Sequence, residues 1–178
     1  VMPAASESGG VVTNGMSNYA RDGENANSAL IAQVTREDFG NEHPLAGIEF
    51  QRKIERAAYL AGGKNYAAPV QLVGDFLQDK TSDTFGDIKA TYAAGTAFAD
   101  LRAVLPGGVI NTLKLAITDM DRRLKGFACG DAVLTAAETP SFSNLTTGTF
   151  STAAASKRLP ASPRMPSLTS SIMTRSFL

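Results

Sequence analysis

An α+β fold, built of short strands and about three helices, is the class this sequence predicts. Two segments, roughly 44–61 and 109–124, place apolar residues at helical spacing. Between and around them, runs such as Val11-Val12, Ala29–Val34 and Ala132–Glu138 read as strands bounded by turn residues. An apolar share of 43% over 178 residues is enough for one core.

Taken in order, Val1 to Ala5 can form a short strand, and Ser6 to Gly10 a turn in which glycine supplies positive φ. Val11-Val12 resumes the extended run, and Asn14-Gly15 is a strong turn pair. Ala29–Val34 is expected to be a buried strand, closed by the polar turn residues 35–40. The first helix is predicted from about Pro44 to Ala61, because Pro44 suits the first helical position. Leu45, Ile48, Ile54, Ala58 and Ala61 supply much of its apolar face, Glu49 and Lys53 are spaced as an i,i+4 pair, and Gly62-Gly63 ends it. His43, just ahead of Pro44, reads as a capping or solvated histidine, with a catalytic base as the alternative.

Residues 67–77 fit either a strand or a short helix, and 78–95 read as a surface loop interrupted by Gly86 and Gly95. Thr96 is a candidate cap for a short helix with Phe98, Leu101 and Leu105 on one face, broken by Pro106-Gly107-Gly108. The next helix, about Val109 to Leu124, carries a stripe of Val109, Leu113, Ala116, Ile117, Met120 and Leu124 that reads as core. Arg122, Arg123 and Lys125 complement its C-terminal dipole, and Gly126 stops it. Ala132–Glu138 then reads as a strand.

These elements define a domain over 1–138. From Thr139 to Leu178 the chain becomes a Ser/Thr/Pro-rich basic tail, expected to be disordered or divergent, since it cannot bury enough surface to offset its ordering entropy. All 17 acids lie in 1–138 against 13 bases, a net of −4, and the tail carries +4. The total is zero, so nothing global points to nucleic acid. One cysteine (Cys129) and one histidine (His43) exclude a disulfide framework and a multi-Cys or His-cluster metal site. Cys129 reads as a buried or incidental thiol, with a reactive thiolate as the alternative. No apolar run reaches the length of a membrane span, and Val1-Met2-Pro3 shows no signal peptide, so a cytoplasmic location is expected. Glycine fingerprints for dinucleotides, P-loops, GxSxG and HExxH are all missing from the sequence. A start at Val1, running almost at once into strand-like sequence, suggests a piece of something longer.

The richest stretch in polar chemistry is Thr13 to Ser28. It holds Asn14, Asn18, Asn25 and Asn27, with Arg21, Asp22, Glu24, Gly15 and Gly23, and only Met16 and Tyr19 as large apolar side chains. Neither a helical nor a strand period runs through it, so it is expected to be a loop. Such a loop can hold a polar planar ligand through directed hydrogen bonds. The same residues also suit Asx turns and local ion pairs.

The run from Gly9 to Leu30 resembles the internal, substrate-facing region of the uncharacterised FAD-dependent dehydrogenases of NAD(FAD)-utilising type. The blocks 43–51, 68–77, 99–106, 121–127 and 134–139 resemble that family in the same order, so the similarity covers about 1–138. The resemblance implies the inserted domain of a two-dinucleotide-fold flavoprotein, a fragment of a FAD-dependent oxidoreductase that covers the flavin. It implies that Asn14, Met16 and Ser17 meet the cofactor and that Arg21, Asn25 and Asn27 meet the substrate. The family's glycine fingerprint lies upstream of this region and a flavin-closing segment lies downstream. FAD is therefore expected in the parent enzyme and not on this chain alone, with the FAD-binding remainder as partner, and no catalytic residue is assigned. The alternative is a non-catalytic interaction or structural module.

Overall fold

The computed structural model describes residues 1–16, 19–20 and 23–139 in full, and the backbone of 147–157 and 174–177. Among the described residues, eight strands and three α-helices follow in the order β1 (Met2–Ala4), β2 (Val12–Asn14), β3 (Asn25–Thr35), α1 (Ala46–Ala61), β4 (Ala68–Leu72), α2 (Val73–Leu77), β5 (Thr96–Phe98), α3 (Gly107–Arg123), β6 (Val133–Glu138), β7 (Thr147–Lys157) and β8 (Thr174–Phe177). β1 and β2 form an antiparallel ribbon. The other six strands form one sheet in the order β5-β4-β6-β7-β3-β8, antiparallel throughout except for β4 and β5. The α+β class is therefore the observed one.

The period of each element decides what it buries. Leu30, Ala32 and Val34 alternate along β3 and share one face. They join Ile54 and Ala58 of α1, Leu113 and Ile117 of α3, and Leu134 and Ala136 of β6 in the main core. Val70, Ile88 and Val133 form a second, smaller cluster. The α3 stripe is as expected, with Val109, Leu113, Ala116 and Ile117 buried and Met120 and Leu124 packed at its margin. Two backbone N–H groups, of Ala128 and Gly126, donate to Asp121 and hold its carboxyl below the usual range, which ties down the turn after α3.

Several expectations need correction. Helix α1 starts at Ala46 with Leu45 as its cap residue, and Leu45 and Ile48 are exposed. The apolar face is thus narrower than the spacing suggested, with Ala46, Ile54 and Ala58 buried. Glu49 pairs with Arg52 three residues on, not with Lys53, since Arg52 also reaches Glu7. Thr96–Phe98 is strand β5, not a helix, because Ala68–Val70 of β4 offers a parallel edge. Only Leu101–Ala103, capped by Asp100, makes a short 3-10 turn. Gly107 and Gly108 lie inside the first turn of α3 instead of breaking a helix. The 78–95 loop is irregular as expected but not merely superficial, since Ser82, Ile88 and Tyr92 are buried. Two tail segments are strands, β7 between β6 and β3, and β8 beyond β3. Their backbone groups satisfy those of β6 and β3, which would otherwise be unpaired. The rest of the tail lies outside the described residues.

Two substitutions in α3 test this packing. Leu113 is 1% exposed and Leu115 is 71% exposed. Leu113→Ala should cost about 2–5 kcal/mol in urea unfolding, whereas Leu115→Ala should stay within about 0.5 kcal/mol. Gly62, at the end of α1, offers a backbone test. Its φ of −73° suits any residue, but a Cβ there would run into the Ala67 carbonyl oxygen. Gly62→Ala should therefore lower stability by about 1–3 kcal/mol, measured the same way, despite the better helix propensity of alanine.

Candidate functional site

The connection between β2 and β3 is shorter than the sequence suggested. β2 runs to Asn14 and β3 begins at Asn25, so Asn25 and Asn27 lie on a strand and not in a loop. Asn14-Gly15 does not turn β2 back into a hairpin with β3. β2 pairs instead with β1, Met2 opposite Asn14 and Pro3 opposite Thr13. Ser17 and Arg21 lie outside the described residues.

The two strand asparagines brace this connection from below. Asn27 Nδ2 donates to the Met16 carbonyl at 3.0 Å, and Asn25 Nδ2 donates to the Lys89 carbonyl at 2.8 Å. One bond folds the chain after β2 down onto β3, and the other ties β3 to the 78–95 loop. Gly15 is buried beside them, and a Cβ there would sit 3.1 Å from Asn27 Oδ1. The close approach favours glycine. Asn14 and Met16 face outward, Met16 being 53% exposed, and Tyr19 is fully exposed. The structure thus gathers Asn14, Met16, Asn25 and Asn27 around one short connection, with Asn14 and Met16 presented and the other two engaged in support.

Two polar atoms here stand out. Thr13 Oγ1 and Asn27 Oδ1 are buried and have no hydrogen-bond partner among the described residues. Each such orphan costs about 1–3 kcal/mol. Native interiors hold few of them, and local strain, an ordered water, an ion or a functional role accounts for those that occur. A hydroxyl can donate or accept, and an amide oxygen accepts. Groups of these kinds also hydrogen-bond the N–H and carbonyl groups of an isoalloxazine's pyrimidine edge. A pyrophosphate would need something else, a glycine-rich turn from strand into helix. At Leu72–Val73, β4 runs straight into α2 without one. The polar groups present are thus of the kind that meets a flavin ring, and the β4–α2 junction offers no phosphate cradle.

The other titratable candidates have local partners. His43 Nδ1 accepts the Leu45 N–H at 3.1 Å just ahead of α1, the capping arrangement. Cys129 is free and exposed, which removes the buried reading of its thiol and leaves the incidental and reactive ones. No group of three His, Cys, Asp or Glu side chains suited to a metal exists among the described residues. No helix among them is long and apolar enough to cross a membrane. Sequence reading passed over Thr13 as one hydroxyl among many; only its burial distinguishes it. It also passed over Glu55, buried on α1 one residue after Ile54 and three before Ala58. That position, between two core residues on the helical wheel, was the available signal.

Comparison with known proteins gives this geometry a context. A protein of Clostridium beijerinckii, described only as an uncharacterized protein, is 50% identical over 139 residues, which is 78% of this chain and 26% of that protein. The chain thus spans about a quarter of the length of that relative. The profile of the family described as "FAD-dependent protein, C-terminal domain-like" matches residues 1–141. The chain therefore belongs to this family of FAD-dependent proteins, as a part of a C-terminal domain-like region.

Proposed function

We propose that residues 1–138 form the substrate-facing domain of a FAD-dependent oxidoreductase of dehydrogenase type, with the β2–β3 connection at the flavin ring. The observation that carries this reading is the pair of buried, unpartnered atoms Thr13 Oγ1 and Asn27 Oδ1 beside Gly15. When bound, the flavin supplies the two-electron oxidation. The chain's own residues bind and orient. Asn14 and Ser17 donate to ring carbonyls, Met16 packs against the ring, and Arg21 holds an anionic group of the substrate. Asn25 and Asn27 fix the connection through their bonds to Lys89 and Met16. The partner is the FAD-binding remainder of the longer polypeptide, which the match to a quarter of the relative's length supports. A nicotinamide nucleotide is the proposed second dinucleotide, by the family resemblance. The free, exposed thiol of Cys129 suits a cytoplasmic location.

Thr13→Val separates site from scaffold. The hydroxyl has no partner among the described residues, so its loss should leave the unfolding midpoint of the isolated chain unchanged or raised. In the full-length flavoprotein the same change should alter the flavin absorbance spectrum and lower kcat/KM about tenfold or more. Arg21→Ala should likewise cut kcat/KM about tenfold or more, while costing the isolated chain under about 1 kcal/mol. Full activity and an unaltered spectrum in both variants would remove the connection from the site.

A further inference from the structure

A second feature lies apart from the β2–β3 connection. An open cleft of about 310 Å³ lies between helix α1 and the turn after β1. Ala5, Ser6 and Glu7 form one wall, and Ile48, Gln51, Arg52 and Glu55 the other. Glu55 is only 5% exposed. Its Oε1 accepts from Gln51 Nε2 and from Thr139 Oγ1, each at 2.7 Å. Its Oε2 accepts no hydrogen bond from any described residue.

The donors near it are committed elsewhere. Ser6 Oγ donates to the Gly10 carbonyl, and Gln51 Nε2 to Glu55. Arg52 clamps both oxygens of Glu7 with Nε and Nη2 and gives Nη1 to Glu49. That clamp holds the Glu7 carboxyl below its usual range, so Glu7 stays charged at the rim. What remains unused among the lining residues is acceptor capacity: Glu55 Oε2, the Gln51 amide oxygen and the lone pairs of Ser6 Oγ. Ala5 and Ile48 add an apolar margin.

We infer that this cleft binds a cationic N–H donor on a short aliphatic stem, a primary ammonium or guanidinium group, through Glu55 Oε2 with Gln51 and Ser6 beside it. Charge-assisted bonds to a carboxylate give such a site its affinity, and the apolar margin accepts the stem. The donor can belong to a free amine or to a lysine or arginine of the remaining polypeptide.

The test is an amide NMR titration of the 178-residue chain with n-butylammonium chloride, using sodium butyrate and sodium chloride as controls. Saturable shifts around residues 5–10 and 48–55 are expected with the amine alone. Glu55→Gln, which keeps an oxygen for Gln51 and Thr139, should weaken binding about tenfold or more. Ala5→Phe fills the cleft from its exposed rim, so it should abolish binding without moving the unfolding midpoint, whatever Glu55→Gln does to folding. Non-saturable shifts, shifts shared with the sodium salts, or unchanged binding in the folded variants would overturn the inference. Repeating the titration on the full-length polypeptide identifies the source of the donor. Retained binding assigns a free amine, and binding present only in the isolated chain assigns a side chain of the remainder.

Discussion

The middle of α1 is held at one residue. The Glu55 carbonyl accepts the Val11 N–H at 3.1 Å, and its side chain accepts the Thr139 hydroxyl from 84 residues farther along. The approach to β2, the centre of α1 and the end of β6 therefore meet at one point. Gly10 makes the meeting possible, because a Cβ there would lie 3.2–3.3 Å from the Glu7 carbonyl and the Glu55 side chain. A carboxylate in such a place is tolerable only while its hydrogen bonds persist, since breaking them strands a charge in low dielectric. The position of β2, and with it the connection that leads to β3, follows from this contact.

A second polar clasp serves the other side of the domain. Gln71 is 1% exposed, and its amide accepts the Leu101 N–H and donates to the Lys80 carbonyl. Ser82 donates to Asp75 and accepts the Leu72 N–H. Together they pin the start of the irregular 78–95 stretch and the turn that follows β5. Between those points Ile88 packs with Val70 and Val133, and Phe85 stacks on Phe98 with centroids 4.6 Å apart. The segment thus closes the smaller cluster and presents the Lys89 carbonyl to Asn25. An irregular stretch becomes a fixed support for the candidate flavin edge because its few polar anchors are buried and paired.

Much of this was legible in local sequence. The two long helices and the strand at 133–138 follow from period and end signals. Gly63 and Gly126, with φ of 92° each, mark ends that only glycine adopts without strain. The corrections have one physical cause. Thr96–Phe98 has helix-compatible spacing, yet a parallel edge pairs its backbone over three residues. Asn25 and Asn27 have loop character, yet β3 extends to include them because β7 pairs along its whole length. In each case a backbone partner distant in sequence outweighed a local preference.

The sequence by itself determined the class of fold, the placement of the long helices, the core stripe of α3 and, through ordered blocks of similarity, membership in a FAD-dependent family. These depend on spacing, on glycine and proline at element ends, and on identities read one after another. Tertiary structure alone decided which polar groups are buried and which of those are satisfied. Thr13, Asn27 and Glu55 look ordinary in a string of residues, because hydrogen-bond satisfaction depends on neighbours far away in the chain. Chemistry of this kind is created when distant segments remove a polar atom from water, and no local pattern records which atoms those will be.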